Sequence, residues 1–272
     1  MGLGLRGTGS LNLEELSILK ESDLIFVDAY TSIFPENVKE DIEKVTGNTV
    51  RFLNREEVES FAFLKNPFRT ISLIVSGDPM SSTTHFAIVE KCREMGFIVD
   101  IMENASILTT VPGRTGLSPY RMGPVISIPQ IVDNFVPMSV ARKIRDNMIW
   151  QLHTILLIDL ENGKNMDPPK VFHILKALGE NILPESFFKM PLFVMERIGW
   201  ADERVFITTV ENLKSLENHS PYCTVLPMSP NSNEMASTRA LGLNEIMSLE
   251  TFDYKSLRDR AKILIQSETK EY

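Results

Sequence analysis

The chain reads as an α/β protein of two domains, and three observations predict it. Its 272 residues exceed one minimal domain and suit two of about 100–150 residues each. Apolar runs of strand length alternate almost without exception with stretches of helical period. Hydrophobic residues make up 43% and charged residues 24%, ordinary globular usage that leaves disordered and fibrous classes aside.

The elements follow in order. Leu13, Leu16 and Leu19 make a short helical stripe, and Leu24-Ile25-Phe26-Val27 is a buried-strand run. Val38, Ile42 and Val45 mark a helix after Pro35, closed by Gly47. Thr49 to Leu53 and Ile71 to Val75 read as strands, Thr83 to Met95 as a helix ended by Gly96, and Ile98 to Met102 as a further strand. Pro112 to Gly123 reads as a loop, and the domain boundary is placed there, giving domains 1–122 and 123–272. In the second half, Val125 to Ile128, Thr154 to Ile158, Leu192 to Met195, Val205 to Thr209 and Cys223 to Leu226 read as strands. Pro137 to Gln151 reads as a helix, and Asp167-Pro168-Pro169 as the cap and first turn of another that runs to Leu178. A last surface helix is expected over Asp253 to Gln266.

Composition also bounds function. No apolar stretch approaches the roughly 18 residues of a membrane helix, and the opening Met1 to Ser10 has no secretory pattern. Cys92 and Cys223 stand far apart and read as reduced thiols of a cytosolic protein. A net charge of −8 repels nucleic acid, and Arg142, Lys143 and Arg145 read as a solvated helix face. The four histidines and two cysteines show no metal-ligand spacing, so no metal site is expected. No nucleophile elbow or Walker sequence occurs.

Three loops carry the chemistry. Gly2-Leu-Gly4-Leu-Arg-Gly7, with Asp28 further on, matches a dinucleotide fingerprint in spacing. It lacks the preceding strand and the helix that should begin at the third glycine, which leaves a turn where backbone approaches a ligand. Ser76 to His85 follows a strand and leads into a helix, placing Asp78, Ser81, Ser82 and Thr83 at the carboxyl end of a sheet strand, where open α/β sheets bind ligands. Glu103-Asn104-Ala105-Ser106-Ile107 follows the next strand, with Ser106 a helix cap or a ligand contact. Two such loops from one sheet edge make a cleft.

A longer series of blocks stands in order: Gly-Leu-Gly-Leu at 2–5, Ala-Tyr-Thr-Ser at 29–32, Asn-Arg-Glu-Glu-Val-Glu at 54–59, Gly-Asp-Pro then Thr-Thr-His within 77–85, and Asn-Ala-Ser-Ile at 104–107. Thr-Gly-Leu at 115–117, Tyr-Arg-Met-Gly at 120–123 and His-Thr-Ile-Leu-Leu-Ile-Asp at 153–159 continue it. Over residues 1 to about 230 the chain resembles the diphthine synthases, S-adenosylmethionine-dependent methyltransferases of diphthamide biosynthesis within the tetrapyrrole-methylase superfamily.

The resemblance implies a class III methyltransferase fold, two α/β domains with S-adenosylmethionine in the cleft between them, in a cytoplasmic homodimer. The implied acceptor is the amino group of a modified histidine, 3-amino-3-carboxypropyl-histidine, on translation elongation factor 2. By matching motifs the implied cofactor contacts are Leu5, Asp78, Ser81, Ser106, Ile107, Ile158, Ile198 and Tyr222, the last standing where the family often carries His. No general base stands out, and His85 reads as a cap or supporting group. The family carries an apolar strand ahead of Gly-Leu-Gly-Leu where only Met1 stands here. The expectation is therefore a late start or a lost first strand, with Gly2 to Leu5 as a strand end between Leu24–Val27 and Ile71–Val75. The alternatives are a precorrin-type tetrapyrrole methyltransferase, a nicotinamide-dependent oxidoreductase, and a non-catalytic module that binds the elongation factor.

Overall fold

The apolar runs of the first half pair side by side. In the computed structural model, which describes residues 1–30, 32–65, 70–83, 85–131, 137–161, 163–243 and 245–268, strand β1 (Leu24–Asp28) lies between β2 (Val50–Leu53) and β3 (Ile71–Ile74), parallel to both. Thr31 and Thr84 of the motif blocks lie outside the described residues. Alternation along β1 sends Ile25 and Val27 into one cluster with Leu3, Leu19 and Ile42, and Phe26 into another with Leu53, Phe63 and Ile88. Both faces are therefore covered, which is why the run is apolar throughout. Around the sheet lie α1 (Leu13–Glu21), α2 (Val38–Thr46), α3 (Arg55–Glu59) and α4 (Phe86–Glu94). Asn12 with Glu15, and Asn54 with Glu57, close reciprocal capping boxes at the starts of α1 and α3.

The opening residues follow a different edge from the one expected. β1 and β3 pair directly, so no strand end lies between them. Met1 to Gly4 run along the far side of β3: the Met1 ammonium donates to the Leu73 carbonyl at 3.0 Å, Val75 N–H to Met1 O at 3.1 Å, and Leu3 N–H to Val75 O at 2.8 Å. Burial lowers the Met1 ammonium to about 6, against the pull of Glu15 and Asp78. Residues 98–102 form no strand. Gly2 N–H bonds the Met102 carbonyl at 2.9 Å, but an apolar cavity of about 490 Å³, lined by Ile71, Leu73, Ile98 and Ile101, lies beside the rest of the segment. An extended segment joins a ladder only where a neighbour offers its backbone groups.

Contacts divide the chain into a first unit, Met1–Thr110 with Gly199–Ala201, and a second, Val111–Ile198 with Asp202–Tyr272. The crossing falls within α5 (Ile107–Thr115), so the loop expected from Pro112 is a helix up to Thr115. Pro112 removes one backbone donor, but Gly116 N–H still reaches Pro112 O at 2.9 Å and the Thr115 hydroxyl reaches Val111 O at 2.8 Å.

The second unit has β4 (Ile126–Ile128), β5 (Thr154–Ile158), the two-residue β6 (Leu160–Glu161) and β7 (Lys164–Asn165), then β8 (Pro191–Glu196), β9 (Arg204–Thr209) and β10 (Tyr222–Leu226). Its main sheet runs β4-β5-β10-β8-β9, with only the first pair parallel. Helices α6 (Met138–Trp150), α7 (Pro168–Gly179), α8 (Ser232–Ala240), α9 (Ile246–Thr251) and α10 (Tyr254–Glu268) complete it. One expectation is corrected: Arg145 is buried among the apolar residues of α6, at Cβ spacing that turns it inward beside Ile144 and Met148, while Arg142 and Lys143 are exposed. Asp167 stands at the N-cap of α7 with Pro168 first in the helix, as expected, but its side chain makes no cap bond and its Oδ1 accepts instead from Lys164 and Asn218. No described helix is long and apolar enough to cross a membrane, and no described cluster of three His, Cys, Asp or Glu side chains forms a metal-binding group.

A buried carboxylate joins three segments of this unit. Glu234, in the capping box of α8, accepts from Asn231 N–H at 2.8 Å, Ser118 N–H at 2.9 Å, His153 Nε2 at 2.8 Å and the Arg121 guanidinium. Burial pushes this carboxyl up, but those donors outweigh it and hold it below its ordinary value. His153 accepts Met228 N–H on Nδ1 at 2.9 Å, so the ring is neutral with its proton on Nε2. Burial also holds its pKa below the usual 6.5, more strongly than Glu234 raises it. A base held neutral in the fold takes its proton first in the unfolded chain, so stability falls as pH drops through about 6.5. Urea midpoints followed from about pH 7 to pH 5 should fall more steeply for the natural chain than for His153→Asn; parallel curves would mean the imidazole is not linked to folding.

Candidate cofactor site

Three backbone segments of the first unit meet at the carboxyl end of β3. Gly4 and Gly77 exchange both backbone hydrogen bonds, at 3.0 and 2.9 Å. At Gly2 the approach is so close that a Cβ would stand 2.4 Å from the Gly77 carbonyl oxygen and 2.9 Å from Pro79 Cδ. Only glycine fits. The third segment enters through Asn104, whose Nδ2 donates to Gly2 O at 3.1 Å and Ser10 O at 3.2 Å. The glycines that imitate a dinucleotide fingerprint therefore serve a packing junction. A 3-10 turn, Gly7–Ser10, follows them in place of the required helix.

Asp78 organises the turn that Gly77 opens. Its Oδ1 accepts from Met80 N–H and from the Ser81 hydroxyl, each at 2.9 Å, and its Oδ2 from Asn104 N–H at 3.3 Å. Two of the expected residues, Asp78 and Ser81, are thus in direct contact, and the carboxylate bridges to the loop that carries the next two. Ser106 is the cap of α5, exchanging bonds with Thr109 at 3.3 and 3.4 Å. The first-turn amides of Ile107 and Leu108 have no intrahelical acceptor, as at any helix start. Leu5 is half-buried, and its carbonyl packs on Gly199, where a Cβ would stand 2.5 Å away.

The second unit carries the other three expected residues along one edge of its sheet. Ile158 ends β5, Tyr222 begins β10 opposite Glu196 of β8, and Ile198 lies two residues past Glu196. All three are buried. The Tyr222 hydroxyl donates to the Met166 carbonyl at 2.7 Å, and burial pushes its pKa far up, so it stays neutral. Asn165 fixes this edge, donating to Ile158 O at 2.7 Å and accepting Tyr222 N–H at 2.8 Å. The sequence offered no signal for Asn165, whose two partners lie 7 and 57 residues away.

The family model for Tetrapyrrole (Corrin/Porphyrin) Methylases matches residues 1–214. A protein of Thermoplasma acidophilum named diphthine synthase is 34% identical over 86% of this chain and 91% of its own length. One of Aspergillus fumigatus named diphthine methyl ester synthase is 26% identical over 86% of this chain and 89% of its own. A crystal structure of diphthine synthase superposes with a TM-score of 0.72 at 28% identity, covering 88% of this chain and 93% of that one.

Removing the Asn104 amide tests the junction. Asn104→Ala strands the Gly2 and Ser10 carbonyls and should lower the unfolding free energy by about 1–3 kcal/mol, read by urea denaturation. An unchanged midpoint would show that the glycine contacts hold without it.

Proposed function

The chain belongs to the tetrapyrrole (corrin/porphyrin) methylase family, and from that premise we propose that it methylates as a diphthine synthase does. Its donor is S-adenosylmethionine. Its acceptor is the amino group of the 3-amino-3-carboxypropyl-histidine of translation elongation factor 2. The observation that carries this proposal is likeness to relatives of that name over most of both chains, where a porphyrinoid-specific enzyme would share the fold alone. The same resemblance supports a cytoplasmic homodimer as the working form. Leu5, Asp78, Ser81, Ser106 and Ile107 of the first unit, and Ile158, Ile198 and Tyr222 of the second, are proposed as cofactor contacts.

The residues suit such a cofactor chemically. Its amino-acid end carries a carboxylate and an ammonium. The open amides of Ile107 and Leu108 at a helix start favour an anion, and half-buried Asp78 keeps acceptor capacity on Oδ2 for a cation. Ile158 and Ile198 offer apolar surface to the remainder.

When bound, S-adenosylmethionine supplies an electrophilic methyl carbon on a sulfonium. The chain's own task is placement, since an in-line displacement gains most from holding donor and acceptor at attack distance. Apolar surroundings would favour the neutral form of the acceptor amine, whose lone pair would take the methyl as its bond to the sulfonium sulfur breaks, the sulfur leaving as a neutral thioether and one amine proton passing to solvent. The two buried His–carboxylate pairs are both engaged within the fold. His153 is locked to Glu234, and His85 to Asp28.

Calorimetry with S-adenosylmethionine should give binding heat for the natural chain and an affinity on the order of tenfold weaker for Asp78→Ala. Unchanged affinity would remove Asp78 from the site. Mass spectrometry of elongation factor 2 bearing the unmethylated side chain, after incubation with enzyme and cofactor, should show mass gains in whole methyl increments. No gain would overturn the proposed acceptor.

A further inference from the structure

One buried polar pair of the first unit has no part in the chemistry above. Asp28 ends β1 fully buried, and His85 sits just before α4 with 8% of its surface exposed. The imidazole makes no cap to that helix. Its Nε2 lies 3.0 Å from Asp28 Oδ2, and its Nδ1 lies 2.9 Å from the Pro79 carbonyl oxygen. Both partners are acceptors, whereas a neutral imidazole has a single N–H. Apolar side chains of similar volume commonly fill such a place at no loss of stability. Retaining the polar pair calls for another role.

The carbonyl it holds points to that role. Pro79 directly follows Asp78. On the other side, Gly77 is fixed by its two bonds to Gly4. Asp78 is thus clamped between two anchored peptide groups, one held by backbone and the other by His85. Its side chain in turn orders Met80, Ser81 and Asn104. Asp28 is also bound to Tyr30 N–H at 2.9 Å, so the clamp is referred to the end of the central strand. A turn released at Pro79 would keep its residues but lose the direction of its carboxylate.

We propose that His85, backed by Asp28, is the positioning residue of the Asp78 turn and so sets cofactor affinity without touching the reacting atoms, resting on the cofactor assignment of that turn made above. The full-length chain and its His85→Phe, His85→Gln and Asp28→Asn variants are compared by calorimetry with S-adenosylmethionine and by steady-state methylation of elongation factor 2. His85→Phe should raise the cofactor Kd and KM on the order of tenfold, with kcat at saturating cofactor unchanged within about twofold. His85→Gln keeps one donor and should recover part of the loss. Adding Asp28→Asn to His85→Phe should cost little more, because the two act as one unit. A purely structural role would lower the melting temperature and the active fraction while leaving KM in place, and that result overturns the proposal. So does a fall in kcat at unchanged KM. Should His85→Phe fail to fold, the Gln and Asp28→Asn variants decide by the same two constants. Absence of heat with the natural chain overturns the cofactor assignment and this proposal together; binding that the His85 variants leave unmoved overturns this proposal alone.

Discussion

The first unit depends on an approach of backbone to backbone at Gly2 and Gly77 that excludes any side chain between them. Once those two peptides touch, the rest of the junction has little freedom. Gly4 must pair with Gly77, Pro79 must lie over Gly2, and Asn104 reaches across to the Gly2 and Ser10 carbonyls. Each bond contributes about 1 kcal/mol, but leaving any one unmade costs more, because an orphaned buried group loses its hydration without return. The turn that carries Asp78 thereby inherits a fixed place from residues that make no chemistry of their own.

The second unit turns on an interaction of another kind, the Glu234 carboxylate. Its donors come from residues 118, 121, 153 and 231. Two of the blocks most useful for seeing the resemblance, Tyr-Arg-Met-Gly and the segment opening with His153, meet there. None of these side chains is a proposed cofactor contact. Arg121 adds bonds to the Met228, Ser229 and Gln151 carbonyls, so one guanidinium and one carboxylate close several loop ends at once. A motif of this sort reports a buried polar network that tolerates no partial replacement, since breaking one partner leaves the others charged and dry.

Strands buried on both faces were legible because a continuous apolar run at strand length has few other uses; Leu24 to Val27 and Thr154 to Ile158 fall within their observed strands. Two of the misplaced elements have the opposite cause. Ile98 to Met102 has the composition of a strand but lacks a neighbour along most of its length, and neighbours are not written locally. Pro112 and Gly113 read as helix breakers, yet α5 continues because the Thr115 hydroxyl and Gly116 N–H close its last turn. For the site, the turn chemistry of Asp78, Ser81 and Ser106 could be read from strand-end position and residue type. Asn104 reaches Gly2 across 102 residues and Asn165 reaches Tyr222 across 57, distances over which no local pattern carries a signal. The capping box of Asn231 and Glu234 was legible in principle, as an Asn followed three residues on by Glu. Its additional load, three donors from elsewhere in the chain, was not.

The short excursion Gly199–Ala201 has a consequence for how this protein can be taken apart. These three residues belong with the first unit, although the chain on either side belongs to the second. At Gly199 the backbone, with φ at +89°, lies against the Leu5 carbonyl, where a side chain would collide. A gene fragment ending at Thr110 therefore does not encode the first unit, and one beginning at Val111 carries a piece of the other's wall in its middle. Neither unit can be inherited, duplicated or exchanged by cutting the chain once.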